Sequence, residues 1–240
     1  MRIDLQAFVI LAMFLAGCSP ASGPEPAASE VPVRREPPQA MQTEARKMEQ
    51  AETVIVMLGD SLTAGYGLSA ERAVPAVTER RLTDAGYDVA IINAGVSGDT
   101  TAMGLARYDW SVSSAEPDIV VVALGANDFL GGFPAEVAKA NLSKIITRAQ
   151  TDGIDVILAG LEPRWPETSE TLEAEYADLY PALAAEFDVP LYPGFMDGVW
   201  QEPDLLLPDG LHPNVAGVEK MAEGLSGFLK HELDQRAGSD

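Results

Sequence analysis

A serine that follows a run of apolar residues is the first candidate for chemistry in this sequence. Residues 54–58 are apolar without interruption, and Gly59, Asp60 and Ser61 come directly after them. Such a run is typical of a strand buried on both faces of a parallel sheet, and the carboxyl ends of such strands form the edge where α/β proteins bind ligands. Ser61 at this edge could act as a nucleophile if a neighbouring base accepts its proton.

The sequence offers two histidines as that base, His212 and His231. His231 lies in a polar stretch near the C-terminus and is expected to be an exposed surface side chain. His212 lies in the segment 208–213, which one glycine and two prolines predict to be a fixed turn. Asp209 precedes His212 by three residues, so its carboxylate can fold back on the imidazole and orient it. Taken alone, the pair fits a turn-forming aspartate and a capping histidine equally well.

The composition indicates one globular domain with a strong acidic excess. The chain has 240 residues, 47% of them hydrophobic, and a formal net charge of −21 from 16 basic and 37 acidic residues. This is enough apolar material for a substantial core. Because the net charge repels phosphate backbones and no basic cluster is evident, nucleic acid is disfavoured as a partner.

The N-terminus reads as an export signal. An apolar run at 7–16 follows Arg2 and ends in the sequence Leu-Ala-Gly-Cys at 15–18. The run is too short to span a bilayer and fits a signal peptide over residues 1–17. Its end resembles the bacterial lipoprotein cleavage box, which implies cleavage before Cys18, lipidation of its thiol and attachment to a membrane.

Two further regions follow the signal. Residues 18–52 are rich in Pro, Ala and Glu and are predicted to be a flexible tether, and residues 53–234 are predicted to be the folded domain. Ser19 after the cysteine favours the outer membrane of a Gram-negative bacterium, with the domain facing the periplasm. Cys18 is the only cysteine, so no intramolecular disulfide can form.

Strands and helices alternate along the domain. Strands are predicted at 53–58, 88–92, 119–124, 155–159 and 189–192, and helices at 69–85, 100–110, 134–152, 168–187 and 214–231. This alternation predicts an α/β protein with a parallel sheet covered on both faces. Ser61, Gly98, Asn127 and His212 then follow the carboxyl ends of different strands, so they are expected to meet at one edge.

These four positions and Asp209 could together carry acyl transfer. Ser61, His212 and Asp209 supply a nucleophile, a base and an orienting carboxylate. The backbone N–H groups of Ser61 and Gly98 and the side-chain amide of Asn127 are candidates for an oxyanion hole, and a glycine leaves room for close approach to the backbone. Each residue, taken singly, could equally be a turn residue.

The motifs resemble a known family. The segments 59–62, 125–128 and 209–213, together with Gly98, are similar to the four blocks of GDSL-type SGNH hydrolases, and the likeness runs from about 53 to 231. Further segments at 104–107 and 186–191 resemble the bacterial branch of thioesterase I, lysophospholipase and arylesterase enzymes.

This resemblance implies a three-layer α/β/α, flavodoxin-like fold with a five-stranded parallel sheet. It implies hydrolysis of acyl esters or thioesters through an acyl-serine, with no cofactor and no metal. The family's catalytic roles map onto Ser61, Asp209 and His212, and its oxyanion hole onto Ser61, Gly98 and Asn127.

The resemblance also suggests which residues contact the acyl group. Phe129, Leu130 and Phe133 would cover an apolar groove, and Trp165 could line the same cleft, although the aromatic residues could instead anchor an ordinary connection in the core. A carbohydrate acetylesterase of the same fold stays open as an alternative, and so does a non-catalytic envelope lipoprotein. A metallophosphoesterase is excluded, because it needs more histidines than the chain has.

Overall fold

The computed structural model describes residues 47–162 and 168–238. The signal peptide, Cys18, most of the predicted tether and Trp165 lie outside the described residues. Residues 47–50, at the end of the predicted tether, form a helical turn, and Lys47 in this turn pairs with Glu79.

As predicted, five strands form one parallel sheet, and the structure gives their order as β2-β1-β3-β4-β5. The strands are β1 (Thr53–Gly59), β2 (Val89–Gly95), β3 (Ile119–Ala123), β4 (Asp155–Ala159) and β5 (Leu191–Tyr192). The first strand lies between β2 and β3, so the segment that follows it emerges near the middle of the sheet edge. The segments after β2 and β3 flank it there.

Eight α-helices connect or follow these strands within the described residues. They are α1 (Ser61–Ala64), α2 (Val74–Asp84), α3 (Thr101–Ala106), α4 (Tyr108–Ser111), α5 (Ala126–Leu130), α6 (Ala135–Thr151), α7 (Glu170–Phe187) and α8 (Val215–Ala237). In the described part of the chain, no helix is long and apolar enough to cross a membrane.

Two hydrophobic layers cover the two faces of the sheet. Along β1, Ile55 and Met57 belong to one layer and Val56 and Leu58 to the other, as the alternation of side chains along a strand requires. Helices α2 and α8 complete the first layer, and α4, α6 and α7 complete the second. The three-layer α/β/α architecture predicted for the domain is therefore confirmed.

Several predicted boundaries were wrong for local reasons. The helix predicted at 69–85 is a 3₁₀ turn at 70–72 followed by α2, because Pro75 would lose a hydrogen bond and clash if it lay inside a longer helix. The helix predicted at 100–110 is interrupted at Arg107, which ends α3 and precedes α4. Finally, α8 continues to Ala237, because Leu233 is buried in the core, and His231 is an exposed residue of that helix.

Candidate active site

Ser61 is the first residue of α1 and follows β1 after a single residue. That residue, Asp60, is the N-cap of α1, and its carboxylate accepts a hydrogen bond of 3.0 Å from the backbone N–H of Leu62. The nucleophile predicted from the sequence is therefore held at the junction between a buried strand and a capped helical turn. Its hydroxyl faces the cavity at the sheet edge.

His212 lies in a turn that several hydrogen bonds fix. The backbone N–H of Leu207 donates to the carbonyl of His212 at 2.7 Å, and Gly210 adopts the left-handed backbone conformation that the turn requires, with φ of +67°. Two residues later, the side chain of Asn214 accepts hydrogen bonds from the first turn of α8. Hydrogen bonds therefore fix the turn internally and connect it to the start of α8.

Ser61, His212 and Asp209 form one hydrogen-bonded chain. The Nε2 atom of His212 lies 2.9 Å from Oγ of Ser61, and its Nδ1 atom lies 2.8 Å from Oδ2 of Asp209. The second carboxylate oxygen of Asp209 accepts from the backbone N–H groups of Leu211 and His212. The structure therefore brings together the three residues that the sequence singled out.

The carboxylate of Asp209 is stabilised in its charged form. Slight burial acts to raise its pKa, but the hydrogen bonds from the backbone N–H groups of His212 and Leu211 and the interaction with the imidazole outweigh burial and lower the pKa to about 2. The carboxylate is therefore ionised at neutral pH, as a group that orients an imidazole and stabilises its protonated form must be.

The two other candidate oxyanion donors lie on the segments that follow β2 and β3. Gly98 lines the cavity with φ of +88°, and a Cβ built there meets no atom within 4 Å, so the backbone conformation rather than lack of space favours glycine. Asn127 lies in α5 and also lines the cavity. Its Nδ2 donates one hydrogen bond of 2.9 Å to the carbonyl of Asp99, which leaves the second hydrogen available to a ligand.

These groups surround a cavity of about 440 Å³, a size that suits a small organic ligand. Its polar end carries Ser61, His212, Gly98 and Asn127. The rest of its wall is mainly apolar and comes from several connections: Leu62, Tyr66, Phe129, Leu130, Leu161, Met196, Trp200 and Leu211. Polar side chains of Ser97, Glu162, Asp197 and Gln201 lie among them.

The residues predicted to contact the acyl group differ in their position relative to the cavity. Phe129 and Leu130 line the cavity, and Phe129 is also buried against the ring of Tyr176 at 5.3 Å between centroids. Phe133 is about half exposed and is not among the described residues that line the cavity. Trp165 lies outside the described residues.

Three residues of the cavity wall, Tyr66, Met196 and Trp200, were not predicted from the sequence. Tyr66 stacks on the imidazole of His212, with 4.3 Å between ring centroids and 31° between planes. Gly65 and Gly67, both with positive φ, flank it, and this Gly-Tyr-Gly pattern is the signal that could have indicated a tight turn at the site. Met196 and Trp200 come from the connection after β5, which carries no periodic pattern.

Buried acidic side chains lie beneath the site. Asp60, Asp99 and Asp128 are each at least 94% buried. Burial is the main reason that the pKa of Asp60 rises to about 7; the hydrogen bond from Leu62 opposes the rise, and the charges of Asp99 and Asp128 add to it. Asp128 instead accepts hydrogen bonds from the backbone N–H and the hydroxyl of Thr101. In the described part of the chain, no group of three His, Cys, Asp or Glu side chains is arranged to hold a metal ion.

Comparisons with known proteins give a consistent result. The sequence pattern of the GDSL-like Lipase/Acylhydrolase family matches residues 57–220. An arylesterase of Vibrio mimicus is 38% identical over 77% of this chain and 90% of its own length. Thioesterase 1/protease 1/lysophospholipase L1 of Escherichia coli K12 is 36% identical over 76% of this chain and 88% of its own length.

A solved structure shows the same architecture. Esterase EstA from Pseudoalteromonas sp., solved in a form inhibited by monoethylphosphonate, superposes with a TM-score of 0.73 at 27% identity. The superposition covers 76% of this chain and all of the EstA chain.

The raised pKa of Asp60 predicts how stability changes with pH. Between the ordinary pKa of 3.8 and the folded value of about 7, the folded protein binds more protons at this group than the unfolded chain does. This contribution to stability is present at low pH and is lost as the pH rises through 7. Relative to Asp60→Asn, the wild-type free energy of unfolding should therefore be higher at pH 5 than at pH 8, by about 2 kcal/mol.

Urea unfolding of both proteins at the two pH values measures this difference, and titrating groups that do not interact with Asp60 cancel in the comparison. Asparagine retains an oxygen that can accept the hydrogen bond from Leu62. A difference between variant and wild type that is the same at both pH values would contradict a neutral Asp60 in the folded protein at pH 5.

Proposed function

The chain belongs to the GDSL-like lipase/acylhydrolase family and is a serine esterase of that family, and we propose that it hydrolyses acyl esters and thioesters through an acyl-serine on Ser61. The observation that carries this assignment of residues is the 2.9 Å separation between Nε2 of His212 and Oγ of Ser61. A base at this distance can accept the hydroxyl proton as the oxygen attacks. The activities named for the arylesterase and thioesterase relatives support the proposed substrate class.

The first half of the reaction forms the acyl-enzyme. Oγ of Ser61 attacks the carbonyl carbon of the ester while Nε2 of His212 accepts the proton. Asp209 holds Nδ1 and stabilises the resulting imidazolium. The carbonyl oxygen becomes an anion, and in this proposal the N–H groups of Ser61 and Gly98 and the amide of Asn127, all three residues that line the cavity, donate to it. The imidazolium then protonates the leaving alcohol or thiol as its bond to the acyl carbon breaks.

The second half releases the acid. His212 accepts a proton from a water molecule, whose oxygen attacks the acyl carbon of the ester on Ser61. The tetrahedral anion forms in the same place and is stabilised by the same donors. His212 returns the proton to Oγ as the carboxylic acid leaves, so the enzyme regains its starting state.

The cavity wall supports an apolar acyl or aryl group as the part of the substrate that is bound. Leu62, Leu161, Met196 and Trp200 offer apolar surface next to the reacting hydroxyl. A carbohydrate acetylesterase would use the same polar end but would bind a sugar in place of an apolar group. A non-catalytic lipoprotein would have no use for a hydroxyl, an imidazole and a carboxylate in hydrogen-bonding contact.

Replacement of Ser61 by alanine should abolish hydrolysis without unfolding the protein. Loss of the nucleophile should lower kcat for p-nitrophenyl butyrate by about a thousandfold or more. Ser114→Ala, on an exposed turn away from the cavity, is the matched control and should retain wild-type activity. Circular dichroism should show that both variants are folded. A fully active Ser61→Ala enzyme would exclude the acyl-serine.

A substrate panel separates this proposal from the acetylesterase alternative. Because the wall is apolar, kcat/KM should rise from the p-nitrophenyl ester of acetate to those of medium-chain acids, and naphthyl acetate should be cleaved. Palmitoyl thioester tests the thioester activity. Acetylated xylan should be a poor substrate, and a preference for it over every apolar ester would favour the acetylesterase.

For the location of the enzyme, we propose a lipid anchor on Cys18 in the cell envelope, with the catalytic domain on the periplasmic side of the outer membrane of a Gram-negative bacterium. The support is the apolar run and the Leu-Ala-Gly-Cys segment described in the sequence. In a bacterial host, the mature protein should fractionate with membranes, and Cys18→Ala should release it from them. The control is Ser19→Ala, which keeps the thiol. A Cys18→Ala protein that stays in the membrane fraction would refute the anchor.

A further inference from the structure

A buried ion pair beneath the cavity is not used by the mechanism above. Arg107 and Asp99 are 7% and 6% exposed, and Nε of Arg107 lies 2.5 Å from Oδ2 of Asp99. Removing two charges from water is costly, and a buried ion pair is seldom more stabilising than well-packed apolar residues of the same size. The stability of the core therefore does not by itself account for this pair.

The guanidinium of Arg107 binds three separate acceptors. Besides the bond to Asp99, Nη1 donates to Oγ of Ser111 at 2.9 Å, and Nη2 donates to the carbonyl of Gly59 at 2.9 Å. Gly59 is the last residue of β1 and lies two residues before the nucleophile. The planar guanidinium can hold three acceptors in fixed directions, whereas a lysine ammonium on a flexible stem cannot reproduce this geometry. Arg107 thus joins the strand that carries Ser61 to the loop that carries Asp99.

Asp99 in turn holds the candidate oxyanion donors. It directly follows Gly98, and its backbone carbonyl accepts the 2.9 Å hydrogen bond from Nδ2 of Asn127. Its backbone N–H donates to the carbonyl of Val96, which closes the turn in which Gly98 adopts its positive φ. A shift of Asp99 would therefore move both the N–H of Gly98 and the amide of Asn127.

These contacts form one continuous path across the site. It runs from the carbonyl of Gly59 through Arg107 to the carboxylate of Asp99, and from the carbonyl of Asp99 to the amide of Asn127. The path connects the two parts of the site whose relative position matters for the reaction. These are the nucleophile that follows β1 and the donors in the segments after β2 and β3. Stabilisation of the transition state depends steeply on the position of the donors relative to the nucleophile, because the donors act only at hydrogen-bonding distance from the developing anion.

We propose that Asp99 and Arg107 are positioning residues that fix the oxyanion donors Gly98 and Asn127 relative to Ser61. This inference rests on the proposed function, since it assigns a role within the same site. Neither residue touches the substrate; both act through the groups that do. Their loss should weaken binding of the transition state more than binding of the substrate.

The test is Arg107→Lys, which keeps the positive charge but loses the three-way geometry. For p-nitrophenyl butyrate, kcat should fall by roughly 10- to 100-fold, less than the effect of losing an oxyanion donor outright, and KM should stay within about twofold. The inhibition constant of phenylboronic acid, which forms a tetrahedral adduct on a nucleophilic serine, should rise by about the same factor as kcat/KM falls.

A double-mutant cycle with Asn127→Ala identifies the route of the effect. If Arg107 acts through the oxyanion donors, the double variant should lose less activity than the product of the two single effects. Multiplicative losses, or a kcat of Arg107→Lys within twofold of wild type, would overturn the proposal. So would an unchanged inhibition constant for phenylboronic acid.

Two controls separate positioning from general damage. Arg236→Lys alters a partly exposed arginine that pairs with Asp155 at the amino end of β4, and its kcat should be unchanged. Leu183→Ala opens the buried core beneath α7, on the other face of the sheet from the helix that anchors His212, and should lower the melting temperature while kcat is kept. A kcat loss in Leu183→Ala equal to that in Arg107→Lys at matched destabilisation would assign a structural role to the ion pair.

Two further variants cover the cases in which Arg107→Lys does not fold or has normal activity. If Arg107→Lys does not fold, Ser111→Ala removes one of the three acceptors without altering charge and should show a smaller loss of kcat with the same unchanged KM. Measurement of Ser61→Ala in the same assays distinguishes failure of the proposed function from failure of the positioning role. An active Ser61→Ala enzyme refutes the proposed function, whereas an inactive one beside a normal Arg107→Lys enzyme refutes only the positioning role.

Discussion

The site depends on one hydrogen bond between residues that are 151 positions apart, from His212 to Ser61. Neither residue can reach the other through local structure, so the distance of 2.9 Å is set by the packing of the whole domain. Ser61 is fixed by β1 in the middle of the sheet. His212 is fixed by its turn and by α8, which packs through Leu225 and Leu229 on the same face as α2. The buried apolar layer under α8 is therefore a condition for the chemistry as much as for the fold.

The same packing buries several acidic side chains beneath the site, and each must be accommodated. A sheet edge that gathers Asp60, Asp99 and Asp128 below the reacting groups places several acids where water is excluded. Each is accommodated in a different way: Asp99 by the guanidinium of Arg107, Asp128 by the hydrogen bonds from Thr101, and Asp60 by a pKa of about 7 that favours its neutral form. Asp209, which is more exposed, instead keeps its charge through backbone hydrogen bonds.

Much of this could be predicted from the sequence, and the reasons are physical. Buried parallel strands give apolar runs, so β1 to β4 and their common edge could be predicted, whereas β5 is a short, half-buried strand that the alternation of elements indicated. Short-range turn chemistry linked Asp209 to His212. The gathering of Ser61, Gly98, Asn127 and His212 around one cavity followed from the order of elements alone. Each of these inferences rests on a pattern within a few residues or on the rule that parallel strands share an edge.

The features that could not be predicted depend on contacts between distant segments. The Gly-Tyr-Gly pattern around Tyr66 indicates a tight turn but not the stacking of its ring on His212. The wall formed by Met196 and Trp200 and the position of Phe133 away from the cavity lining have no local signal. The break in the helix at Arg107 likewise coincides with a side chain that serves three acceptors elsewhere in the fold. Tertiary demands of this kind override local helical preference.

The late position of the base in the chain has a consequence for biosynthesis. A ribosome completes β1 and Ser61 long before it reaches His212, and the turn that holds the imidazole is anchored by α8, the last helix described. Until α8 has emerged and packed, a nascent polypeptide carries a serine without its proton acceptor. A chain that ends before α8 therefore lacks the fixed imidazole that the proposed hydrolysis requires.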